Sequence, residues 1–560
     1  MTSMAGSNFS AQFRGVRTVA EPAPGLTLPE AAWTPPARKL FPGPAQALVV
    51  NLHRAFEPAR RALLEERRQR ARHWDAGSCP GFLPISSSPA ARGDWRVAEL
   101  PADLLRRRVE ITGPIANRKM VIQMLSRNDA GDRADAAMLD FEDSQRPTWG
   151  NLLAGLENLI GAAEGELELV QSAAAGRAAK TYRLDPTDMP LVMVRVRGLH
   201  LVESNLAVDG EPVCGGLLEL ALATFHAATR LLAQGKTPKL YVPKCESHLE
   251  ARWWNSLFQA VEESLELERG TLRATFLIET LPAAFEIEEI LWELRERAAG
   301  LNVGRWDKIF SDIKVLKEHP DRVLADRATI SLERPWMRAY AEQLIRVCHR
   351  HGAFAMGGMA AMTPGRTPAL RAEQTAKVVA DKQFEFALGH DGCWVSHPYF
   401  IGPALAAFPR QHQLDVVPAT ADLPDLLPRG GGPYTLTGLR KNVRVGIAYL
   451  KGWNEGLGCV AWDDLMEDLA TLEISRAQVW QWLRHSIALD DGITVDRPLV
   501  ARIFAEELAR IEHDLAAEVF DPEALAAARA RYRDAAYEAE HLFTESRLRP
   551  FLAEATPIVV

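Results

Sequence analysis

Short apolar runs recur along the middle of the chain: Val109-Glu-Ile-Thr112, Ala137-Met-Leu-Asp140, Leu191-Val-Met-Val-Arg-Val196, Lys239-Leu-Tyr-Val242, Ala274-Thr-Phe-Leu-Ile278, Lys308-Ile-Phe-Ser311, Ala353-Phe-Ala355 and Gly392-Cys-Trp-Val-Ser396. Between several of them lie longer stretches with apolar positions three and four apart, as in Gly216 to Gln234, Leu249 to Leu267 and Pro335 to His349. Near-continuous apolar runs belong to strands buried on both faces, and the longer period belongs to helices packed over them. Eight such units predict an α/β fold, a (β/α)8 TIM barrel.

The flanks read differently. Residues 1 to about 44 are rich in Pro and Gly and predict an irregular or partly disordered arm; Ala45 to Trp74 turns helical, and Gly77 to Gly93 reads as a linker. After residue 415 the alternation stops. The Pro/Gly segment Leu427 to Pro433 leads into helical patterns over Leu439–Trp453, Asp463–Ser475, Arg476–His485 and Asp496–Glu518. The expected division is an N-terminal arm and helical segment (1–94), the barrel (95–414) and a C-terminal helical domain (415–560) that caps the barrel mouth.

Charged or small polar residues follow the runs: Asp140/Glu142/Asp143, Arg195/Arg197, Lys244, Glu279, Asp312, Gly357-Gly358 and His397. In barrels of this kind the active site lies at the C-terminal ends of the strands, so these positions predict a polar mouth. Composition excludes several alternatives. Hydrophobic residues at 47% and charged residues at 25% are ordinary for a globular chain, and a net charge of -8 with interspersed signs argues against a nucleic-acid partner. The basic run Arg60 to Arg72, with Glu65 and Glu66 inside it, reads as a solvated helix face. Six cysteines without Cys-x-x-Cys pairing fit a reducing compartment and no structural zinc. No secretory leader and no apolar run of 18 residues is evident, and Pro557 to Val560 is not a Ser-Lys-Leu address, so a cytoplasmic enzyme without a membrane partner is expected. The pattern specifies no oligomeric state.

Nucleotide motifs fail on inspection. Gly235-Lys236-Thr237 lacks the upstream glycine of a phosphate loop, since Arg230 stands there, and no Gly-x-Gly-x-x-Gly opens a helix. Histidines show no zinc-ligand spacing. What remains is carboxylate chemistry. Glu279, ending a clean apolar strand, and Asp307 in Gly304-Arg-Trp-Asp307 are hard oxygen donors suited to Mg2+, or alternatively a salt-bridge partner and a loop cap. Arg195 ends an otherwise apolar strand, where a guanidinium stabilises an oxyanion or enolate. In Leu465-Met-Glu-Asp468-Leu-Ala-Thr-Leu-Glu473-Ile-Ser475, read as one helix, Asp464 and Asp468 repeat four apart beside an apolar stripe of Leu465, Leu469 and Leu472; that is either a functional acid or a surplus surface charge. A cation, an arginine and a separately delivered base suit carbon–carbon bond formation through an enolate.

The chain resembles the malate synthases of the shorter A form. The resemblance rests on Arg108-Val-Glu-Ile-Thr-Gly-Pro114 with Arg118-Lys-Met-Val121, Asp140-Phe-Glu-Asp-Ser144, Arg195-Val-Arg-Gly-Leu-His-Leu201, Ile278-Glu-Thr-Leu-Pro282, Gly304-Arg-Trp-Asp307, Arg350-His-Gly-Ala-Phe-Ala-Met-Gly-Gly-Met-Ala-Ala361, Gly389-His-Asp-Gly392 and Leu465-Met-Glu-Asp468, in order over about residues 95 to 515. It implies condensation of acetyl-CoA with glyoxylate and hydrolysis of the thioester to malate and CoA. It further implies Asp468 as general base, Arg195 as catalytic arginine, Glu279 and Asp307 as Mg2+ ligands, Gly304, Arg305, Trp306 and Asp307 at glyoxylate, and Ser144 and Pro398 at the coenzyme. A related malyl-CoA-type lyase, or a condensing enzyme for another 2-oxo acid, is the alternative. Two segments depart from the family pattern, Val202-Glu-Ser-Asn205 and Cys459-Val-Ala-Trp-Asp-Asp464, both expected near the site. Cys459 is either close to the base or an inert buried thiol.

Overall fold

The computed structural model describes residues 23–91, 94–172, 178–419 and 421–552. Expectations for residues 1–22 and for the C-terminal tetrapeptide lie outside the described residues.

Eight parallel strands close into a barrel: β1 (Val109–Pro114), β2 (Ala136–Asp140), β3 (Leu191–Arg195), β4 (Lys239–Val242), β5 (Arg273–Ile278), β6 (Ala298–Val303), β7 (Phe354–Ala360) and β8 (Gly392–Val395), with β8 pairing back onto β1. Alternate residues explain why the runs look uniformly apolar. Met138, Met193, Tyr241, Leu277, Phe354, Met356 and Trp394 fill the barrel interior as one cluster, while Leu139, Val192, Val194, Phe276 and Ile278 join the larger core under the outer helices.

Seven of the eight expected strands are present, and one is misplaced. Lys308–Ser311 lies inside helix α2 (Arg305–Val315), whose buried Ile309, Phe310 and Ile313 face the core at helical spacing. The sixth strand is Ala298-Ala-Gly-Leu-Asn-Val303, poor in β-branched and aromatic residues. Gly300 explains part of that composition: its φ is +149°, and a Cβ there would stand 2.5 Å from the Phe354 carbonyl oxygen. Asp312 accordingly does not end a strand but pairs with Lys308 within α2.

The N-terminal arm is more ordered than its composition suggests. Leu26–Thr27 adds a strand to the ribbon Val202–Val208/Glu211–Cys214, Thr34 caps the helix Pro35–Leu40, and helix α1 (Gly43–Asp75) packs along the barrel. Its basic face is only partly solvated. Arg60 is buried on Glu57 and the Leu199 carbonyl, and Arg67 is buried on Glu250 and the Lys244 carbonyl; Arg61, Arg68 and Arg72 are the exposed members. Among the described residues one helix, Gly215–Ala233, is long and apolar enough to cross a membrane, contrary to the sequence reading, but 67% of its 18-residue apolar window is buried in the fold and its Glu219 is paired with buried Arg197.

The C-terminal part comprises α3 (Leu436–Asn454), the hairpin β9 (Val460–Trp462)/β10 (Leu465–Glu467), α4 (Leu469–Arg484), α5 (Arg497–Glu518) and α6 (Pro522–Phe543). The helix expected over residues 463–475 is therefore corrected. Asp463 and Asp464 have φ of +46° and +61° and form the hairpin turn, as Asp does in tight turns whose twist matches the strands. Asp468 is the N-cap of α4, its side chain accepting from the Thr471 N–H, and α4 runs on unbroken through Arg476.

Candidate active site

The strand ends gather a buried polyionic cluster. Asp140, the last residue of β2, lies in register beside Arg195, the last of β3. Arg195 donates Nε to Asp140 Oδ1 at 2.7 Å and Nη2 to Oδ2 at 2.6 Å, and its Nη1 lies 3.3 Å from Glu142 and 3.4 Å from Asp143. Burial opposes charge on both groups, but mutual attraction outweighs it: Asp140 is held below the usual carboxylate range, and Arg195 stays protonated. The Arg195 guanidinium also stands 5.8 Å from the Trp394 ring centroid. Lys244, two residues past β4, has a φ of +53°. This conformation turns its ammonium onto Glu142 (2.8 Å), Asp143 (2.7 Å) and Asp307 (3.2 Å), while its N–H donates to Glu279 Oε1 at 2.8 Å.

Glu279 and Asp307 come together. Glu279 follows β5; Asp307 lies in the first turn of α2, not in a loop, and is paired with Lys244. Glu279 Oε2 is buried without a hydrogen-bond partner among the described residues. Burial and Asp307 raise the Glu279 pKa well above the usual value, and burial, opposed by Lys244, pushes Asp307 up to about 6. Two buried carboxylates, one with an oxygen that no hydrogen bond satisfies, are a donor set that fits a hard divalent cation. Gly304 is the N-cap of α2, and a Cβ there would lie 2.5 Å from Glu279 Cβ and 2.6 Å from its Oε2. The glycine lets the helix start, with its unpaired N–H groups, approach the carboxylates closely; such a terminus binds an anion. Arg305 contributes backbone rather than side chain at this point, because its guanidinium is tied to Asp381 and the Met359 carbonyl. Trp306 is half-buried beside it.

Asp468 reaches this cluster from the other domain. The β9/β10 hairpin is sewn to the barrel by backbone hydrogen bonds: Met466 N–H to Ala361 O (2.7 Å), Thr363 N–H to Asp464 O (2.9 Å) and Leu469 N–H to Asp143 O (3.1 Å). Gly458 packs so tightly on the loop after β2 that a Cβ would lie 2.2 Å from the Gln145 Cα. Burial, then the carboxylates of Asp143 and Asp307, push the Asp468 pKa up to about 8 against the pull of Arg195 and Lys244. Arg195, Glu279, Gly304 to Asp307 and Asp468 line one cavity.

That cavity opens through Thr112, Met120, Ser396 and Met466 into a wider cleft flanked by Arg127, Lys180, Arg183 and Arg371. Ser144 lines the inner cavity and Pro398 the outer cleft, so the two residues stand apart. The Ser144 hydroxyl donates to Asp140 Oδ2 at 2.6 Å and thereby supports the Asp140–Arg195 pair. Cys459 lines the inner cavity near Asp468, and burial together with that carboxylate pushes its thiol up to about 12, which disfavours the thiolate.

Descriptions of the malate synthase N-terminal domain, TIM barrel domain and C-terminal domain match residues 31–88, 191–422 and 434–556. The chain is 42% identical over 536 residues to malate synthase of Myxococcus xanthus strain DK1622, spanning 94% of this chain and 95% of that one. The chain belongs to the malate synthase family. It is also 41% identical over 540 residues to malate synthase A of Escherichia coli K12 (94% and 97% of the two chains) and 43% identical over 488 residues to the glyoxysomal malate synthase of Zea mays (84% and 85%). Of the two departures from the family pattern, Val202–Asn205 sits in the outer ribbon, where Glu203 serves Arg197, away from the malate synthase cavity; only the segment from Cys459 reaches it. Sequence reasoning named Asp140, Glu142, Asp143 and Lys244 as strand-end charges without giving them a role. Three acids within four positions after one strand, and a lone lysine two residues past another, were the available signals.

Proposed function

We propose that this enzyme condenses acetyl-CoA with glyoxylate and hydrolyses the malyl thioester to malate and CoA, with Asp468 as base, Arg195 as stabilising cation and Glu279 and Asp307 as the Mg2+ ligands. The observation that carries the reading is the convergence of Asp468, brought by the C-terminal hairpin, on the Arg195–Glu279–Asp307 cluster of the barrel. The Asp468 carboxylate takes a proton from the acetyl methyl group; its raised pKa strengthens it as a base, and the buried site spares it competing hydration. Arg195, pinned by Asp140, holds the negative charge that develops on the thioester oxygen without having to reorient. The N–H groups opening α2 hold the oxo-acid carboxylate, and Glu279 and Asp307 would hold the cation beside it. When bound, Mg2+ supplies Lewis-acid polarisation of the aldehyde oxygen. The new bond joins the methyl carbon to the aldehyde carbon, whose oxygen gains a proton; water then cleaves the C–S bond, releasing the thiol. Lys244 offsets part of the negative charge of Glu142, Asp143 and Asp307.

The coenzyme lies along the outer cleft, its phosphates toward Arg127, Lys180, Arg183 and Arg371, with Ser144 and Pro398 along its path. We divide the labour at about residues 94 and 414: the barrel holds metal and glyoxylate, and the C-terminal part supplies the base. A reducing, cytoplasmic setting accords with six free cysteines.

The test is thiol release from acetyl-CoA, with and without glyoxylate and with and without Mg2+. Release that needs both partners is expected. Its absence, with cleavage of malyl-CoA to glyoxylate instead, would transfer the assignment to a lyase.

A further inference from the structure

The base and the oxo-acid helix come from different domains, and a buried arginine bridges their surroundings alongside the hairpin's backbone bonds and the packing of α4 on α2. Arg327 lies in the long excursion between β6 and β7, at the start of a 3-10 turn capped by Asp326. Only 4% of it is exposed. Its Nη1 donates to the Thr471 carbonyl at 3.4 Å, and its Nη2 stands 3.8 Å from Glu467 Oε1. Glu467 precedes Asp468, and Thr471 supplies the N–H that the Asp468 carboxylate accepts. The same guanidinium stands 5.9 Å from the ring centroid of Trp306, in the first turn of α2.

The arginine is itself held by α4. The Gln478 amide oxygen accepts from the Arg327 N–H at 3.2 Å, its amide nitrogen donates to the Ala325 carbonyl at 2.6 Å, and Asn442 Nδ2 donates to the same amide oxygen at 2.9 Å. One turn on, Gln481 accepts from the Leu324 N–H, and Trp482 donates to the Leu324 carbonyl. Gln478 and Gln481 are fully buried, and burying two amides between domains is costly unless every group is matched. None of Arg327, Gln478 and Gln481 lines the cavity.

We propose that Arg327 is a positioning residue for the reaction, bracing the Glu467–Thr471 segment that carries Asp468 against the Trp306 end of α2, with Gln478 holding the brace in place. The inference rests on the reading of Asp468 as base. A misplacement near 1 Å can cost about 10²-fold in rate, so removing the brace should act on turnover rather than on affinity.

The experiment compares wild type with Arg327→Met, Arg327→Lys and Gln478→Ala in the full-length protein. In Arg327→Met, kcat is expected to fall about 30-fold or more, with KM for acetyl-CoA and glyoxylate each within about threefold, on the scale that the same misplacement argument sets. Arg327→Lys, which keeps the charge opposite Glu467, should recover part of kcat. Amide hydrogen exchange over residues 463–471 should quicken in Arg327→Met while exchange in the barrel strands stays unchanged. Wild-type kcat in Arg327→Met, or a kcat loss matched by a smaller folded fraction with unaltered exchange over 463–471, overturns the proposal. If Arg327→Met fails to fold, Gln478→Ala decides by the same criteria. A wild type that does not consume acetyl-CoA and glyoxylate defeats the functional reading instead, and the exchange data then judge the brace alone.

Discussion

At the scale of single residues, the chemistry rests on carboxylates kept in unfavourable surroundings. Asp468→Asn preserves shape and removes the base, so kcat should fall by about 10²- to 10⁴-fold, the usual scale for losing a general base, with little change in either KM. Steady-state thiol release measures this, and wild-type kcat in the variant would remove Asp468 from the mechanism. The pH dependence has a definite sign. The base works ionised, and burial has moved its pKa up to about 8, so kcat should rise with pH through an acid limb set by this group and not by an ordinary carboxylate. A profile flat from pH 5 to 8 would contradict that assignment. Gly304→Ala is the sharpest steric test of the metal site. Its Cβ would stand 2.6 Å from Glu279 Oε2, and Mg2+ affinity by calorimetry should drop at least about tenfold, the scale found when support for a metal ligand is lost.

At the scale of elements, the decisive feature is the β9/β10 hairpin. Three backbone hydrogen bonds tie it and the start of α4 to the barrel rim, so the base is placed by main chain, with Asp468 already fixed as an N-cap. The close approach that permits this is at Gly458. Gly458→Ala would press a methyl group onto Gln145 backbone at 2.2 Å, which cannot yield as a flexible side chain can. Overpacking of that kind costs about 1–3 kcal/mol and should lift the hairpin. The expected result is a kcat loss of about tenfold or more with Mg2+ affinity retained, since Glu279 and Asp307 belong to the barrel. Equal loss of Mg2+ affinity would show that the hairpin supports the metal site as well.

At the scale of the whole molecule, the polyionic mouth couples stability to the cation. Glu279 and Asp307 have pKa values raised above the ordinary carboxylate range near 4. The native metal-free protein therefore binds their protons more tightly than the unfolded chain does, and its stability falls as pH rises through about 6. A divalent cation removes that penalty where the carboxylates are ionised. Mg2+ should accordingly raise Tm more at pH 8 than at pH 5.5, measured in excess chelator against excess Mg2+. An equal increment at both values would mean that the two carboxylates are not the ligands.

The sequence by itself determined the barrel, because strands buried on both faces must be apolar throughout and the helices between them must carry a longer period. Arg195 and Glu279 were legible for the same reason: each ends an apolar run where a charge is costly without a partner. Asp307 and Asp468 were singled out from the residues and matched to roles through the ordered family motifs, although the local pattern around both was misread. Ile309 and Phe310 looked like a strand because two adjacent apolar residues suit either period, while the true sixth strand is hidden by Gly300, required for close approach to Phe354. The stripe around Asp468 looked helical because leucines at residues 465, 469 and 472 are shared between a strand end and the next helix. Only the tertiary structure decided which charges face one another. Lys244 on Asp307, and Arg327 on a carbonyl 144 residues away, are contacts made by chain segments whose separation leaves no periodic trace, as are the hairpin bonds that seat Asp468 on the barrel.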